Sequence, residues 1–264
     1  MPPAIALLTD FGPDSPYVGQ MKGKILGIHA GATIVDLTHS ITPHAIREGS
    51  FVLADCVAAF PPGTVFVAVV DPGVGTPRPI LIATANDQFF VLPDNGLISE
   101  IQLRFKLDSV YRVHQDRFPE SSSTFHGRDI MAPIATRLCL GTHPSDLGGQ
   151  VDQESITPPA VPAATLTAER IVGQVMWIDR FGNMITNIHR IWPDVEPVAV
   201  RIEAEGRHLS GIHSTYASQP TGTLMALFGS NGRLELGVNQ GNAAQLFHRP
   251  LDLAVTLTRS DREN

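Results

Sequence analysis

The sequence predicts a two-domain protein: an α/β N-terminal domain with a largely parallel sheet, and an all-β, barrel-like C-terminal domain. Strand-like and helix-like segments alternate through the first half of the 264-residue chain. A stretch rich in proline and alanine then interrupts this pattern. Beyond it, short strand-like segments are separated by glycine and asparagine turns. We therefore predict an N-terminal domain at 1–156, a linker at 157–168 and a C-terminal domain at 169–264.

In the N-terminal half, short strand-like segments alternate with segments in which the apolar residues have helical spacing. Short apolar or β-branched runs predict strands at 5–9, 33–37, 65–70, 80–84 and 89–92. Apolar residues at helical spacing predict helices at 17–29, 44–60, 97–105 and 129–140. The run at 65–70 is almost continuously apolar, which is typical of a strand buried on both faces.

The C-terminal segments lack helical periodicity. Strands are predicted at 171–178, 198–204, 224–228, 234–238 and 251–257. Turn-forming residues lie between them at 181–183, 229–232 and 239–241. A small barrel or sandwich is the architecture that this pattern favours.

Composition excludes several classes of protein. Hydrophobic residues make up 43% and charged residues 17% of the chain, which is unlike a disordered protein. The net charge of −7, without a basic stripe, argues against nucleic-acid binding. No apolar run approaches the roughly 18 residues of a membrane span, and no signal peptide is recognisable, so we predict a cytoplasmic protein. The two cysteines, Cys56 and Cys139, fit neither a disulfide framework nor a zinc site.

Aspartates follow three of the predicted strands. Asp10, Asp71 and Asp94 each come at or just after the end of an apolar run. Ligands of open α/β sheets bind outside the carboxyl ends of the strands, so these residues are candidates for one polar site. Aspartate is also a common turn and N-cap residue, and the pattern alone leaves that alternative open.

Other motifs are weaker. The glycines at 73–75 resemble a dinucleotide-binding loop, but the third glycine is absent and prolines follow. Asp36, His39 and His44 could supply scattered metal ligands, although no familiar zinc spacing occurs. The polar run 121–129 opens a helix, where His126 would have a lowered pKa and be neutral, or would simply belong to a capping segment.

Seven motifs in order along the chain identify a family. They are TDFG at 9–12, YVGQMKG at 17–23, VDPGVGT at 70–76, PDNGL at 93–97, STFHGRD at 123–129, DRFGNMITNI at 179–188 and SNGRLE at 230–235. Together they closely resemble the S-adenosyl-L-methionine (SAM) hydroxide adenosyltransferases, which are adenosine-forming SAM hydrolases related to fluorinases and chlorinases. The resemblance covers nearly the full length of the chain.

The resemblance implies an activity and an assembly. Water would attack C5′ of SAM and release adenosine and L-methionine, with no cofactor and no metal. The protein would be a homotrimer, with each site between the N-terminal domain of one subunit and the C-terminal domain of its neighbour. The sulfonium leaves as a neutral thioether, so the enzyme's task is to place and activate one water.

The resemblance assigns three catalytic residues. Asp71 would accept a hydrogen bond from the water, Arg78 would hold Asp71 ionised and oriented, and His126 would complete the network. In fluorinases the positions of Asp71 and His126 carry tyrosines, and a serine that helps bind halide stands where this chain has Gly127. An anionic Asp71 would repel a halide, so water is the expected nucleophile.

The substrate contacts follow from the same matches. Asp10 would bind the ribose hydroxyls and Asn183 would read adenine, because a carboxylate accepts from a diol and an amide both donates and accepts. The remaining predicted substrate-binding residues are Phe125 and Tyr216 in the pocket walls, Asp179 and Ser230 at the methionine end, Glu235 and Val238 along the adenine pocket, Val238 through its backbone, and Phe181.

The chain departs from the family pattern at two positions. An acidic residue usually stands where this chain has Ser15, and Asp14 is the candidate replacement for the contact to the methionine ammonium. His44 replaces the tryptophan that stacks in fluorinases. Three alternatives to cofactor-independent SAM hydrolysis stay open: a SAM or adenosine sensor with negligible turnover, halide-dependent adenosyl transfer, and a metal-dependent hydrolase that uses Asp36, His39 and His44.

Overall fold

A computed structural model of the chain describes residues 3–118, 121–158 and 163–259. Contacts divide the chain into two compact units, Met1–Val161 and Pro162–Asn264. The predicted linker at 157–168 lies partly outside the described residues, because it includes 159–162. Of its described part, Thr165–Leu166 forms a short strand. None of the helices in these described ranges is long and apolar enough to cross a membrane.

The first unit places helices around one seven-stranded sheet. Its strands are β1 Ala4–Thr9, β2 Thr33–Thr38, β3 Val65–Val69, β4 Ile80–Ala85, β5 Gln88–Pro93, β6 Ser109–Val113 and β7 Gly148–Gln150. Its α-helices are α1 Pro16–Ile28, α2 Ile46–Cys56, α3 Ser99–Arg104 and α4 Ala132–Cys139. A 3₁₀ turn, Val57–Ala59, extends α2, and a π-helical turn, Gly127–Met131, leads into α4.

The sheet is mixed, and the prediction of a largely parallel sheet holds for one half of it. The strand order is β2-β1-β3-β5-β4-β6-β7. The pairs from β2 to β5 are parallel, whereas the pairs from β5 to β7 are antiparallel. The change occurs at a two-residue hairpin between β4 and β5, where Asn86 and Asp87 have φ of 53° and 56°. Asn and Asp tolerate this left-handed conformation, which matches the twist of an antiparallel hairpin.

Both faces of this sheet are buried. Along β1, Ile5 and Leu7 belong to one apolar core, together with residues of α1 and α4. Ala6 and Leu8 belong to a second core, together with residues of α2 and α3. Helix coverage of both faces explains the continuously apolar strands, because successive side chains of a strand point to opposite faces.

The second unit is all-β, as the sequence predicts. Its strands are β8 Thr165–Leu166, β9 Arg170–Ile178, β10 Met184–Thr186, β11 Val200–Ala204, β12 Arg207–Ser210, β13 Ile212–His213, β14 Leu224–Phe228, β15 Leu234–Val238 and β16 Ala254–Arg259. They form one sheet in the order β12-β11-β16-β9-β10-β15-β14-β13, with β8 added beside β9. The sheet curls until β12 approaches β14 and encloses one apolar core, giving a nearly closed barrel.

Candidate functional site

Asp71 and Arg78 form a two-point ion pair in the loop between β3 and β4. Arg78 Nε donates to Asp71 Oδ1 over 2.7 Å, and Arg78 Nη2 donates to Asp71 Oδ2. Both side chains are largely buried, with 8% of Arg78 and 4% of Asp71 exposed. A guanidinium bound to both carboxylate oxygens fixes the direction of the carboxylate as well as compensating its charge.

His126 lies against this ion pair. Its Nδ1 is 3.2 Å from Arg78 Nη2. Arginine can only donate, so Nδ1 is the acceptor and the ring proton belongs on Nε2. Burial lowers the pKa of His126, and the Arg78 charge lowers it further, against the opposite effects of Asp71 and Asp129. The imidazole is therefore neutral at pH 7, with Nε2–H as its donor.

Two glycines allow the loops that carry these residues to meet. Gly75 has a left-handed backbone, and a Cβ there would lie 2.5 Å from the carbonyl oxygen of Ser123. A Cβ on Gly127 would lie 3.3 Å from a methyl group of Val69 and 3.5 Å from Met21 Sδ. Larger residues would therefore push the segment that contains His126 away from the loop that contains Asp71.

Asp10 directly follows β1, which lies next to β3 in the sheet. Its Oδ2 accepts a hydrogen bond from the backbone N–H of His44 over 2.9 Å. His44 has a φ of 68°, which turns its N–H toward the carboxylate. This single bond leaves Asp10 with lone pairs for the hydroxyl groups of a ligand.

A cleft of about 210 Å³ brings Asp10, Asp71 and His126 to one place. Its apolar walls include Phe125, which the sequence predicted, and Phe11 and Val74, which it did not. The first unit thus combines two carboxylates and a neutral imidazole in a partly apolar cleft. Such a cleft can orient a water beside a polyhydroxylated ligand.

The third strand-end aspartate has a structural role. Asp94 follows β5, as expected, but its Oδ1 accepts a hydrogen bond from the Thr157 N–H over 2.7 Å. The Thr157 hydroxyl also donates to the Asp94 backbone carbonyl over 3.1 Å. Asp94 therefore anchors the end of the first unit, and it does not line the cleft of Asp10 and Asp71.

An aromatic cluster adjoins the cleft. Phe11, Tyr17 and Phe125 pack edge to face, with ring centroids 5.2–5.8 Å apart. The Arg128 guanidinium lies 4.8 Å from the Phe125 centroid, and Gln20 accepts a hydrogen bond from it over 2.7 Å. The cluster fixes the Phe125 ring next to His126.

The structure gives the two residues before α1 different environments. Ser15 caps the helix, accepting a hydrogen bond from the Tyr17 N–H over 3.3 Å. Asp14 is exposed and does not line the cleft of Asp71. The contact expected of Asp14 therefore stays a prediction.

In the second unit, Asp179 organises the turn between β9 and β10. Its Oδ1 accepts from the Phe181 and Asn183 N–H groups over 2.9 and 2.8 Å. Its Oδ2 accepts from Asn183 Nδ2 over 2.8 Å. Asp179 thus orients the Asn183 amide, which leaves Asn183 Oδ1 to be placed against β15.

Tyr216, Glu235 and Asn183 lie together in this unit. The Tyr216 hydroxyl donates to Glu235 Oε2 over 2.5 Å. Burial raises the pKa of Tyr216, and the bond to Glu235 raises it further, so the hydroxyl stays protonated. A Cβ on Gly237 would lie 2.6 Å from the Tyr216 ring and 3.0 Å from Asn183 Oδ1. The absence of a side chain at Gly237 therefore lets these two residues approach each other.

The other predicted residues of the second unit have distinct environments. Phe181 is 78% exposed at the tip of its turn. Ser230 is exposed in the turn after β14. Val238 packs its side chain into the apolar core, so only its backbone is available to a ligand. No described interaction assigns a ligand contact to Phe181 or Ser230, and both stay predictions.

The set Asp36, His39 and His44 does not form a metal site. Lys22 Nζ donates to Asp36 Oδ2 over 2.6 Å, and His39 Nδ1 lies 2.9 Å from the Thr9 hydroxyl. Within the described part of the chain, no group of three or more His, Cys, Asp or Glu side chains could hold a metal ion. The geometry therefore gives the metal-dependent alternative no support.

Comparisons with known proteins match both units. Residues 5–148 match the SAM hydroxide adenosyltransferase N-terminal domain, and residues 173–255 match the corresponding C-terminal domain. A protein of Thermus thermophilus named (R)-S-adenosyl-L-methionine hydrolase is 35% identical, over 91% of this chain and 94% of its own length. A fluorinase of an Actinoplanes species is 27% identical over 98% of both chains.

A solved structure extends the similarity to the fold. It is described as an uncharacterized conserved protein from Thermotoga maritima, with a TM-score of 0.86 and 32% sequence identity. The superposition covers 97% of this chain and all of the other. Because both domain models match and the hydrolase from Thermus thermophilus aligns over nearly its whole length, this chain belongs to the SAM hydroxide adenosyltransferase family.

Proposed function

We propose that this protein hydrolyses SAM to adenosine and L-methionine. The supporting observation is the arrangement of Asp71, Arg78 and His126: a carboxylate held at both oxygens beside a neutral imidazole. Family membership and the relatives named SAM hydrolases favour the same reaction.

In the proposed reaction, one water attacks C5′ along the line of the C5′–S bond. The new C–O bond forms as the C–S bond breaks, and the electron pair leaves with sulfur as the neutral thioether of methionine. The water loses one proton, and the proposed base is the Asp71 carboxylate, which Arg78 holds in place. His126 Nε2–H donates to the water oxygen and holds it in line.

We propose the predicted substrate contacts for the same reaction. Asp10 accepts from the ribose hydroxyls, a role that its position in the Asp71 cleft supports. Asn183 recognises adenine, a role supported by the fixed orientation of its amide. Asp14, Asp179 and Ser230 remain the proposed contacts to the methionine end. Phe125, Phe181, Tyr216, Glu235 and Val238 complete the proposed pocket.

Hydrolysis fits this site better than halide transfer. Asp71 is a carboxylate in a nearly dry environment, and it would repel a chloride or fluoride brought close to C5′. Arg78 donates to both oxygens of Asp71, so its guanidinium is already engaged and is not left to bind an incoming anion.

Product analysis tests the proposal. Purified protein would be incubated with a hundredfold excess of SAM, with and without a chelator and with chloride added. We expect many equivalents of adenosine and methionine per protein chain, no 5′-chloro product and no effect of chelator. At most one equivalent of adenosine per chain would indicate a sensor, and a chelator-sensitive rate would indicate a metal-dependent enzyme.

We also propose a homotrimer with sites between subunits, which light scattering of the purified protein tests directly. A mixture of Asp71→Ala and Asn183→Ala subunits provides a second test. Recovery of activity on mixing would support shared sites, whereas a monomeric mass with full activity would contradict them. The cytoplasmic location stays a prediction from the sequence.

A further inference from the structure

His39 lies at the centre of a polar chain that runs from Thr9, next to Asp10, to Asp36 and Lys22. It is 8% exposed and follows β2. Its Nδ1 lies 2.9 Å from the hydroxyl of Thr9, the last residue of β1. That hydroxyl also accepts a hydrogen bond from the Phe11 N–H over 3.2 Å. Thr9 and Phe11 flank Asp10, so the chain reaches both neighbours of the proposed ribose ligand.

The hydrogen-bond partners join these residues into one chain. The Thr9 oxygen accepts from the Phe11 N–H, and a second hydrogen bond joins the Thr9 hydroxyl to His39 Nδ1. On the other side of the ring, His39 Nε2 lies 3.0 Å from Asp36 Oδ1. The N–H of this last contact is poorly aligned, so the contact is mainly electrostatic.

The far end of the chain is held by charge. Lys22 in α1 donates to Asp36 Oδ2 over 2.6 Å. Burial raises the pKa of Asp36, but the neighbouring Lys22 and His39 outweigh this effect, and the pKa falls below its ordinary value. Asp36 is therefore ionised at neutral pH, which favours a proton on the facing nitrogen, His39 Nε2.

The backbone of the same loop closes the arrangement. The His39 carbonyl accepts from the Gly12 N–H over 2.8 Å, and the His44 N–H donates to Asp10 Oδ2 over 2.9 Å. The loop after β2 therefore contacts the loop after β1 at Thr9, Asp10 and Gly12. His39 supplies two of these three contacts.

We infer that His39 is a positioning residue for SAM binding: through Thr9 and Gly12 it fixes the turn that presents Asp10 to the ribose. This inference rests on the proposed function. His39 itself does not line the cleft, so it acts through Asp10. A buried hydrogen bond contributes about 0.5–1.5 kcal/mol, so loss of this chain should weaken substrate binding up to about tenfold.

Paired substitutions test the inference. Thr9→Val removes the hydroxyl at nearly constant volume, and Thr9→Ser keeps it. His39→Leu removes the ring nitrogens, and His39→Asn keeps a polar atom near the position of Nδ1. We expect Thr9→Val and His39→Leu to raise KM for SAM five- to tenfold while kcat changes less than about twofold. Thr9→Ser and His39→Asn should restore KM to within about twofold of the wild type.

The double variant Thr9→Val/His39→Leu separates one shared chain from two independent effects. Members of one network give non-additive changes, so its KM should be no more than about twice that of either single variant. The inference would be overturned if the increase in KM of the double variant were the product of the two single increases. It would also be overturned if the single variants lowered only kcat, or if a folded Thr9→Val protein kept the wild-type KM. If His39→Leu does not fold, the comparison of KM between Thr9→Val and Thr9→Ser is sufficient for the test.

A measurement without catalysis keeps this test apart from the proposed function. Hydrogen exchange of the Gly12 and His44 amides should speed up in Thr9→Val relative to Thr9→Ser. If the wild type releases no adenosine but exchange follows this order, the proposed function fails and the positioning role is retained. If wild-type turnover is present and exchange is equal in both variants, the positioning role fails.

Discussion

Arg78 binds both carboxylate oxygens of Asp71 and also contacts His126 Nδ1, so one guanidinium fixes a carboxylate and a histidine tautomer together. Asp71 is seven residues from Arg78 but 55 from His126, and the contact depends on the fold of the sheet. The carboxyl end of β3 supplies Asp71, and the turn before α4 supplies His126. From this arrangement we predict that a water bound at Asp71 is the nucleophile.

Asp71→Asn should abolish most of the turnover while SAM still binds. The amide cannot accept the proton of the water, and a positioned base contributes about 10²- to 10⁴-fold to a rate. The measurement is kcat by product release, with the Kd for SAM from calorimetry and a check of folding by circular dichroism. Asp94→Asn is the matched control, because Asp94 also follows a strand but does not line the cleft. This variant should keep kcat within about twofold of the wild type. Equal turnover in Asp71→Asn and wild type would contradict the assigned role.

Arg78→Lys tests the geometry of the ion pair rather than its charge. Lysine keeps the positive charge but cannot bind both carboxylate oxygens and His126 at once. We expect kcat to fall at least about tenfold, since misplacement of a catalytic group by a fraction of an ångström is costly. Arg104→Lys changes the ion pair with Asp55 in the same unit, away from the cleft, and serves as the control. A similar small loss in both variants would show that charge alone suffices.

The lowered pKa of His126 predicts a pH dependence. Its ordinary value is 6.5, so the acid limb of kcat/KM that reports this residue should lie below 6.5. The lowered pKa also makes the free energy of unfolding depend on pH. Below pH 6.5 this histidine binds a proton more readily in the unfolded chain than in the folded protein, so the free energy of unfolding falls as the pH is lowered. His126→Asn should therefore lose less stability than wild type between pH 7 and acid pH in denaturant titrations. A greater acid sensitivity of the variant would contradict a neutral, buried His126.

Gly237→Ala tests the proposed adenine pocket. The new methyl group would lie 2.6 Å from the Tyr216 ring and 3.0 Å from Asn183 Oδ1, which is too close for both. Displacement of both residues should raise KM for SAM about tenfold with a smaller change in kcat, because overpacking costs about 1–3 kcal/mol. Gly23→Ala in α1 adds a methyl group in open space and is the control. An unchanged KM in folded Gly237→Ala would remove Asn183 and Tyr216 from the binding site.

The strands were predictable where local composition decides them. The strand predicted at 65–70 is observed as Val65–Val69, and those at 224–228 and 234–238 have the predicted bounds. Strands such as Met184–Thr186 and Ile212–His213 were not predicted, because two or three residues give no period. The antiparallel half of the first sheet was missed because strand direction follows from a turn, here at Asn86 and Asp87, and not from the strands themselves.

The site was predictable only in part for a similar reason. A strand-end aspartate looks the same in sequence whether it faces a ligand, as Asp71 does at the cleft, or anchors a segment, as Asp94 does with Thr157. The support of Asp10 by His39 joins residues about thirty positions apart, and its one local sign is the polar segment 38–40 at the end of β2. Long-range polar contacts of this kind depend on strand order, which composition does not specify.

The most direct test of the central claim is the origin of the 5′ oxygen of adenosine. Wild-type protein would be incubated with SAM in ¹⁸O-labelled water, and the released adenosine would be analysed by fragment mass spectrometry. We expect one labelled oxygen at C5′ in every adenosine and unlabelled methionine, and we expect Asp71→Asn to slow the formation of adenosine. Adenosine without label, or label delivered to a methionine fragment, would contradict attack of an Asp71-bound water on C5′.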